Sequence, residues 1–213
     1  MKVYFVRHGE SQFNVTRRHQ HKDVPLTERG IAQAEALARR LKNHKIDKIL
    51  SSRYERASQT AGVIGAELGI PVAYSDFLYE VRIPSELAGK STRDEDVLKI
   101  NQQIIDNFTK ENWRYSDEET FSDLKERAHT ALGEITRGEH EAIVVVAHAR
   151  IIRVLLAAIM FGPNLSAQEY MGLWCLELSN AGISVCDYLP ENKIYNNNNP
   201  WRVITINDHS HLP

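Results

Sequence analysis

The strongest strand signal in the chain is Ala142-Ile143-Val144-Val145-Val146-Ala147, an unbroken apolar, β-branched run of the kind buried on both faces of a parallel sheet. A second such run, Val3-Tyr4-Phe5-Val6, stands at the start. Between them the pattern alternates in type. Thr27 is a suitable helix N-cap with Glu28 in the first turn, and Ile31, Ala34, Leu37, Ala38 and Leu41 follow at helical spacing to about residue 43. Lys48-Ile49-Leu50-Ser51-Ser52 predicts a short strand, a helix runs from about Tyr54 to Leu68, and Gly69 and Pro71 end it before a third strand at Val72-Ala73-Tyr74. Two βα units in succession predict a parallel α/β sheet.

From Asp76 the pattern becomes irregular. Helix formers dominate residues 93–112 and 120–137, with a polar, aromatic segment between them, and residues 81–119 read as a helical cap over the sheet's carboxyl edge. The central strand ends at His148, and an apolar helix, Ala149–Phe161, follows with Arg150 and Arg153 as its charges and Gly162-Pro163 as its stop. A short helix near Ser166–Trp174 leads to Leu178–Val185, which is expected to pair as a hairpin with Trp201–Ile206 across the Asn-rich turn Asn196–Asn199 and Pro200.

Composition narrows the class. At 213 residues and 42% hydrophobic content, with no apolar run of membrane-spanning length, the chain is expected to form one domain over 1–213 with the cap as an insertion. Its first residues show no secretory pattern, so a cytoplasmic location is expected. Cys175 and Cys186 read as reduced core thiols. Lys plus Arg (26) nearly balances Asp plus Glu (28), which argues against general affinity for nucleic acid or an anionic membrane. Any anion site must therefore be local. The basic run Arg17–Lys22 is either a solvated loop face or the rim of an anionic substrate's entrance. His19 and His21 within it have no third ligand type nearby, and no metal site is expected.

The candidate chemistry sits where strands end. Arg7, His8 and Gly9 follow the first run, Arg56 lies one turn into the second unit's helix, Glu80 follows the third strand, and His148 ends the central one. Ligands bind at the carboxyl ends of parallel strands. Two arginines and two histidines there can bind a phosphoryl dianion and stabilise charge on its oxygens. One histidine can attack phosphorus while a carboxylic acid protonates the leaving oxygen. The plain alternatives are core histidines with satisfied ring nitrogens, and an Arg56 on the helix surface paired with Glu55.

Together the segments Arg7-His8-Gly9-Glu10-Ser11, Asn14, Leu26-Thr27-Glu28-Arg29-Gly30, Ser51-Ser52 through Arg56-Ala57, Gln59-Thr60-Ala61, Glu80 and Val145-Val146-Ala147-His148 resemble the histidine phosphatase superfamily, which includes cofactor-dependent phosphoglycerate mutases and many phosphatases. That resemblance implies an α/β three-layer sandwich: a mostly parallel central sheet, helices on both faces and a small helical cap. It implies His8 as nucleophile, Arg7, Arg56 and His148 as phosphoryl-binding groups, Asn14 as a further contact and Glu80 as proton donor, with no metal or other cofactor. Glu86 or Asp76 are the alternative acids. Arg82 and Ser85 are either substrate contacts or solvated loop positions. The mutases follow their acid with an Arg-His-Tyr-containing tract, whereas Val81-Arg82-Ile83-Pro84-Ser85 stands here, so hydrolysis of a small phosphomonoester is expected ahead of mutase activity or an idle, phospho-ligand-binding role. Sugar phosphates, nucleotides, phosphoglycerates and phosphohistidine proteins would all suit such a core, and oligomeric state is not legible.

Overall fold

The computed structural model describes residues 1–19, 22–190 and 199–212; Gln20, His21 and the Asn196–Asn198 part of the Asn-rich turn lie outside them. Four strands, β1 (Lys2–Arg7), β2 (Lys48–Ser52), β3 (Val72–Ser75) and β4 (Ala142–Ala147), run parallel in the spatial order β3-β2-β4-β1. The sheet continues with β5 (Ile183–Tyr188), antiparallel to β1, and β6 (Trp201–Asp208), antiparallel to β5, so the hairpin expected at the end of the chain is present. The helices are α1 (Gln12–Thr16), α2 (Glu28–Leu41), α3 (Glu55–Leu68), α4 (Glu95–Asn107), α5 (Phe121–Ile135), α6 (Ala149–Phe161) and α7 (Ala167–Gly172). None among the described residues is long and apolar enough to cross a membrane.

All six positions of β4 are buried because the sheet is covered on both sides. Successive side chains point to opposite faces. Val3, Phe5, Ile143 and Val145 pack with Leu124, Ala128, Ile151 and Leu155 of α5 and α6, whereas Tyr4, Val6, Val144 and Val146 pack with Leu37, Leu41, Ala61 and Ile64 of α2 and α3. Three layers result. From β1 the chain crosses by α2 over one face to β2, beyond β4, and from β4 it crosses by α6 over the other face to β5, beyond β1, so the two connections leave on opposite faces of the neighbouring strands β1 and β4. Their carboxyl ends form the crevice where such sheets bind ligands.

Several local expectations need correction. Leu178–Gly182 is not strand: Ala181 takes a left-handed turn (φ 57°) and its N–H donates to the carbonyls of Arg7 and His8, which folds the segment across the end of β1. The helix-forming stretch 93–112 gives a helix that ends at Asn107, and a short helix, α1, for which the pattern gave no expectation, carries Asn14. Cys186 is buried, but Cys175 is exposed and not a core thiol, because it follows α7 where the chain turns along the surface. Segment 81–119, which contains α4, leaves and returns at one neck, where Glu119 N–H donates to Arg82 O at 3.1 Å and Arg82 N–H to Glu119 Oε2 at 2.8 Å.

The loop after β1 is pressed onto the start of α2. A Cβ on Gly9 would collide with the Gly30 carbonyl, and one on Gly30 with the Glu10 carbonyl. Gly62, inside α3, faces open space. Gly30→Ala should therefore destabilise the protein by about 1–3 kcal/mol, as overpacking does, while Gly62→Ala should stabilise it by up to about 1 kcal/mol. Urea unfolding midpoints of the two variants check both signs.

Candidate active site

The parallel register sets Arg7 opposite Ala147, so the next residues, His8 and His148, meet across the crevice with ring centroids 5.2 Å apart. Both are buried, as is Arg56 at 1% exposure in the first turn of α3. Its surface-helix alternative is thereby set aside, and Glu55 bonds the Gln59 side chain instead. Arg56 Nε donates to His8 Nε2 at 3.2 Å, while His8 Nδ1 lies 2.6 Å from the Gly9 carbonyl. A carbonyl only accepts, so Nδ1 carries the proton and Nε2 presents its lone pair. That lone pair is the nucleophilic atom of a neutral imidazole.

The other candidates converge on the same place. Arg7 donates through Nη1 to the Leu178 carbonyl, and its buried Nε has no protein partner among the described residues. His148 Nε2 lies 2.9 Å from Ser52 Oγ, which itself accepts from Tyr54 N–H; with the hydroxyl proton on that path Nδ1 carries the ring proton, and it has no partner among the described residues. Asn14 Oδ1 accepts from Ser11 N–H, Ser11 Oγ and Asn180 Nδ2, so its own amide nitrogen is the group able to meet an anion. Glu80 stands over the start of α6: its carboxylate accepts from Ile151 N–H at 3.1 Å, Arg150 N–H at 3.3 Å and Val81 N–H at 2.8 Å. Among the acids considered, Asp76 is held in an exposed pair with Arg53 at 2.8 Å, and Glu86 is exposed outside the crevice.

Electrostatics follow from the crowding of cations. Burial, and then the charges of Arg56 and Arg7, hold His8 well below the usual imidazole range; His148 is lowered by burial, Arg56, His8 and Arg7. Burial lowers Arg56 to about 10, opposed by the nearby Glu80 carboxylate, so it stays cationic at neutral pH. Neutral histidines between fixed guanidinium charges make a nucleophile next to an anion cradle. The crevice opens into a cavity of about 340 Å³ whose walls include Arg18, Lys22, Arg82, Ser85 and Arg150 together with Glu80 and Asp117. Part of the basic run thus does rim the entrance. Among the described residues no three His, Cys, Asp or Glu side chains gather as a metal site.

The remaining motif residues act as scaffolding. Thr60 Oγ1 accepts from Gly9 N–H and donates to the Arg56 carbonyl, Gln59 Oε1 accepts from Leu26 N–H, and Glu10 accepts from the Thr27 hydroxyl and Arg29. Two features escaped the sequence reading. Asn180 donates to the carbonyls of His8 and Gly9 at 3.1 Å, from the loop whose pattern reads as strand. Arg127 and Glu119 form a buried pair below Glu80, and Arg127 had a signal: it falls on the core stripe of α5 with Leu124, Ala128 and Ala131.

Comparison with known proteins places the chain in a family. The model of the histidine phosphatase superfamily (branch 1) matches residues 3–199. The probable phosphoglycerate mutase GpmB of Proteus mirabilis is 32% identical over 218 residues, covering 100% of this chain and 95% of that protein. Among solved structures, YhfR of Bacillus stearothermophilus is 27% identical with a TM-score of 0.81, covering 100% of this chain and 99% of that one. A mycobacterial glucosyl-3-phosphoglycerate phosphatase in complex with VO3 shares the fold at 22% identity and a TM-score of 0.77, covering 97% and 98%.

Both histidines are held neutral when folded and gain protons on unfolding as pH falls below the free imidazole value of about 6.5. The unfolded chain then binds more protons, so stability should fall with falling pH, by at most about 1.4 kcal/mol per pH unit for each histidine, and level off above about pH 7.5. Urea unfolding between pH 5 and 7.5 should show a shallower slope for His148→Asn than for the wild type.

Proposed function

Because the chain belongs to the histidine phosphatase superfamily, we propose that it is a phosphomonoester hydrolase working through a phosphohistidine at His8. The observation that carries this reading is the His8 ring itself, with Nδ1 tied to the Gly9 carbonyl and Nε2 turned towards Arg56. An incoming phosphoryl group takes over the Arg56 N–H, which frees the lone pair for attack. Arg7, Arg56, His148 Nδ1 and the Asn14 amide bind the phosphoryl oxygens and neutralise charge as it develops. As the Nε2–P bond forms and the ester P–O bond breaks, Glu80 in its acid form gives its proton to the leaving oxygen. Water then attacks phosphorus, its proton passes to the Glu80 carboxylate, the N–P bond breaks, and orthophosphate leaves. Atoms and charge balance without a metal or other cofactor.

The substrate is a small phosphorylated metabolite, met at the cavity mouth by Arg18, Lys22, Arg82 and Arg150. A mutase reading rests on one observation, the name carried by curated relatives 29–32% identical over the whole chain. Against it stands Val81-Arg82-Ile83-Pro84-Ser85 after the acid, which offers one cation where the mutases' tract offers more.

Purified protein should release orthophosphate from part of a panel of phosphomonoesters that includes 3-phosphoglycerate, and a chelator should leave the rate unchanged. His8→Ala should lose at least about a thousandfold in kcat, as loss of a covalent nucleophile does. Isomerised phosphoglycerate without release would replace hydrolysis by phosphotransfer, and retained turnover in His8→Ala would remove the phosphohistidine.

A further inference from the structure

The buried pair Arg127–Glu119 has no part in the chemistry described so far, yet it grips the backbone on both sides of Glu80. Arg127 Nε and Nη2 each lie 2.7 Å from a different oxygen of Glu119, and the two side chains are 6% and 3% exposed. The remaining nitrogen, Nη1, donates to the carbonyls of Phe77 at 3.1 Å and Tyr79 at 2.8 Å. The guanidinium also lies 4.0 Å from the centre of the Tyr79 ring, and the Tyr79 hydroxyl is 3.4 Å from Glu119 Oε1. On the far side, Glu119 Oε2 accepts from Arg82 N–H. Leu78, wholly buried, wedges the same loop into the core.

A buried ion pair is a poor means of gaining stability, because apolar side chains of similar volume do as well or better. What apolar side chains cannot do is bond to carbonyl and amide groups. Here the pair fixes residues 77, 79 and 82, leaving Glu80 between two anchored points with its carboxylate over the start of α6.

We propose that Arg127 and Glu119 are positioning residues that hold Glu80 where it can reach the leaving oxygen. This rests on the reading of Glu80 as the proton donor. A misplaced acid slows only the step that needs its proton, and displacement by about 1 Å can cost roughly a hundredfold. An alkyl phosphate needs that proton; 2,4-dinitrophenyl phosphate, whose leaving group departs as a stable anion, does not.

The test compares kcat/KM, which reports phosphoryl transfer, for both substrates in the wild type, Glu80→Gln, Glu119→Gln and the double variant Arg127→Leu/Glu119→Leu, which strands no buried charge. For the double variant, the alkyl phosphate rate should fall about a hundredfold and the dinitrophenyl rate less than about threefold. The orthophosphate inhibition constant should stay within about twofold, since the anion cradle is untouched. Glu119→Gln should show the same selectivity at about tenfold, and decides the matter if the double variant does not fold. Equal losses on both substrates, with Glu80→Gln still selective, would overturn the positioning role alone. A Glu80→Gln variant without selectivity would remove Glu80 as the acid and this inference with it.

Discussion

Two guanidinium groups and two imidazoles are packed at one sheet edge with Glu80 as the nearby opposing charge, and the fold must make that crowding tolerable. Burying like charges together is expensive unless hydrogen bonds or opposite charges compensate. The solution is to keep the histidines neutral, to give Arg7 a backbone carbonyl and to set Arg56 beside His8 with Glu80 near by. Much of the surrounding structure maintains this arrangement: the glycine contact after β1, the Thr60 hydroxyl that links Gly9 to Arg56, and Asn180 bound to the carbonyls of His8 and Gly9.

The same need explains which parts of the site were legible in the sequence. Arg7, His8 and His148 follow apolar, β-branched runs that read as buried parallel strands, so their place at the crevice follows from the pattern. Arg56 was visible for a related reason, being in the first turn of a helix that follows a strand. The Leu178–Gly182 loop was mistaken for strand because its apolar ends match a strand, while the left-handed turn at Ala181 depends on contacts with Arg7 and His8 that lie far off in sequence. Cys175 sits among apolar residues, but Leu173 and Trp174 are the ones that pack against the core, and the cysteine is left exposed. The Arg127–Glu119 pair joins α5 to the end of segment 81–119, and only the folded loop shows what it holds.

The crevice and its mouth draw on different parts of the chain. Arg7, His8, His148 and Arg56 stand at the carboxyl ends of β1 and β4 and in the first turn of α3. At the mouth, Arg18, Lys22, Arg82 and Asp117 belong to loops, Ser85 opens a 3-10 turn and Arg150 stands on α6. A second cavity, of about 330 Å³ and walled by Phe108, Leu124, Tyr170 and Trp174, adjoins it along Val81, Arg82 and Ile83.

The neck at Arg82 and Glu119 gives segment 81–119 the topology of a pendant. Its two ends are bonded to each other, and its interior is tied a second time to the loop that follows α1: His19 N–H donates to the Lys90 carbonyl, Gly89 N–H to the His19 carbonyl and Thr92 N–H to the Arg17 carbonyl. An engineer exchanging the segment between Arg82 and Glu119 would therefore have to carry residues 17–19 along with it, because the seam runs through both.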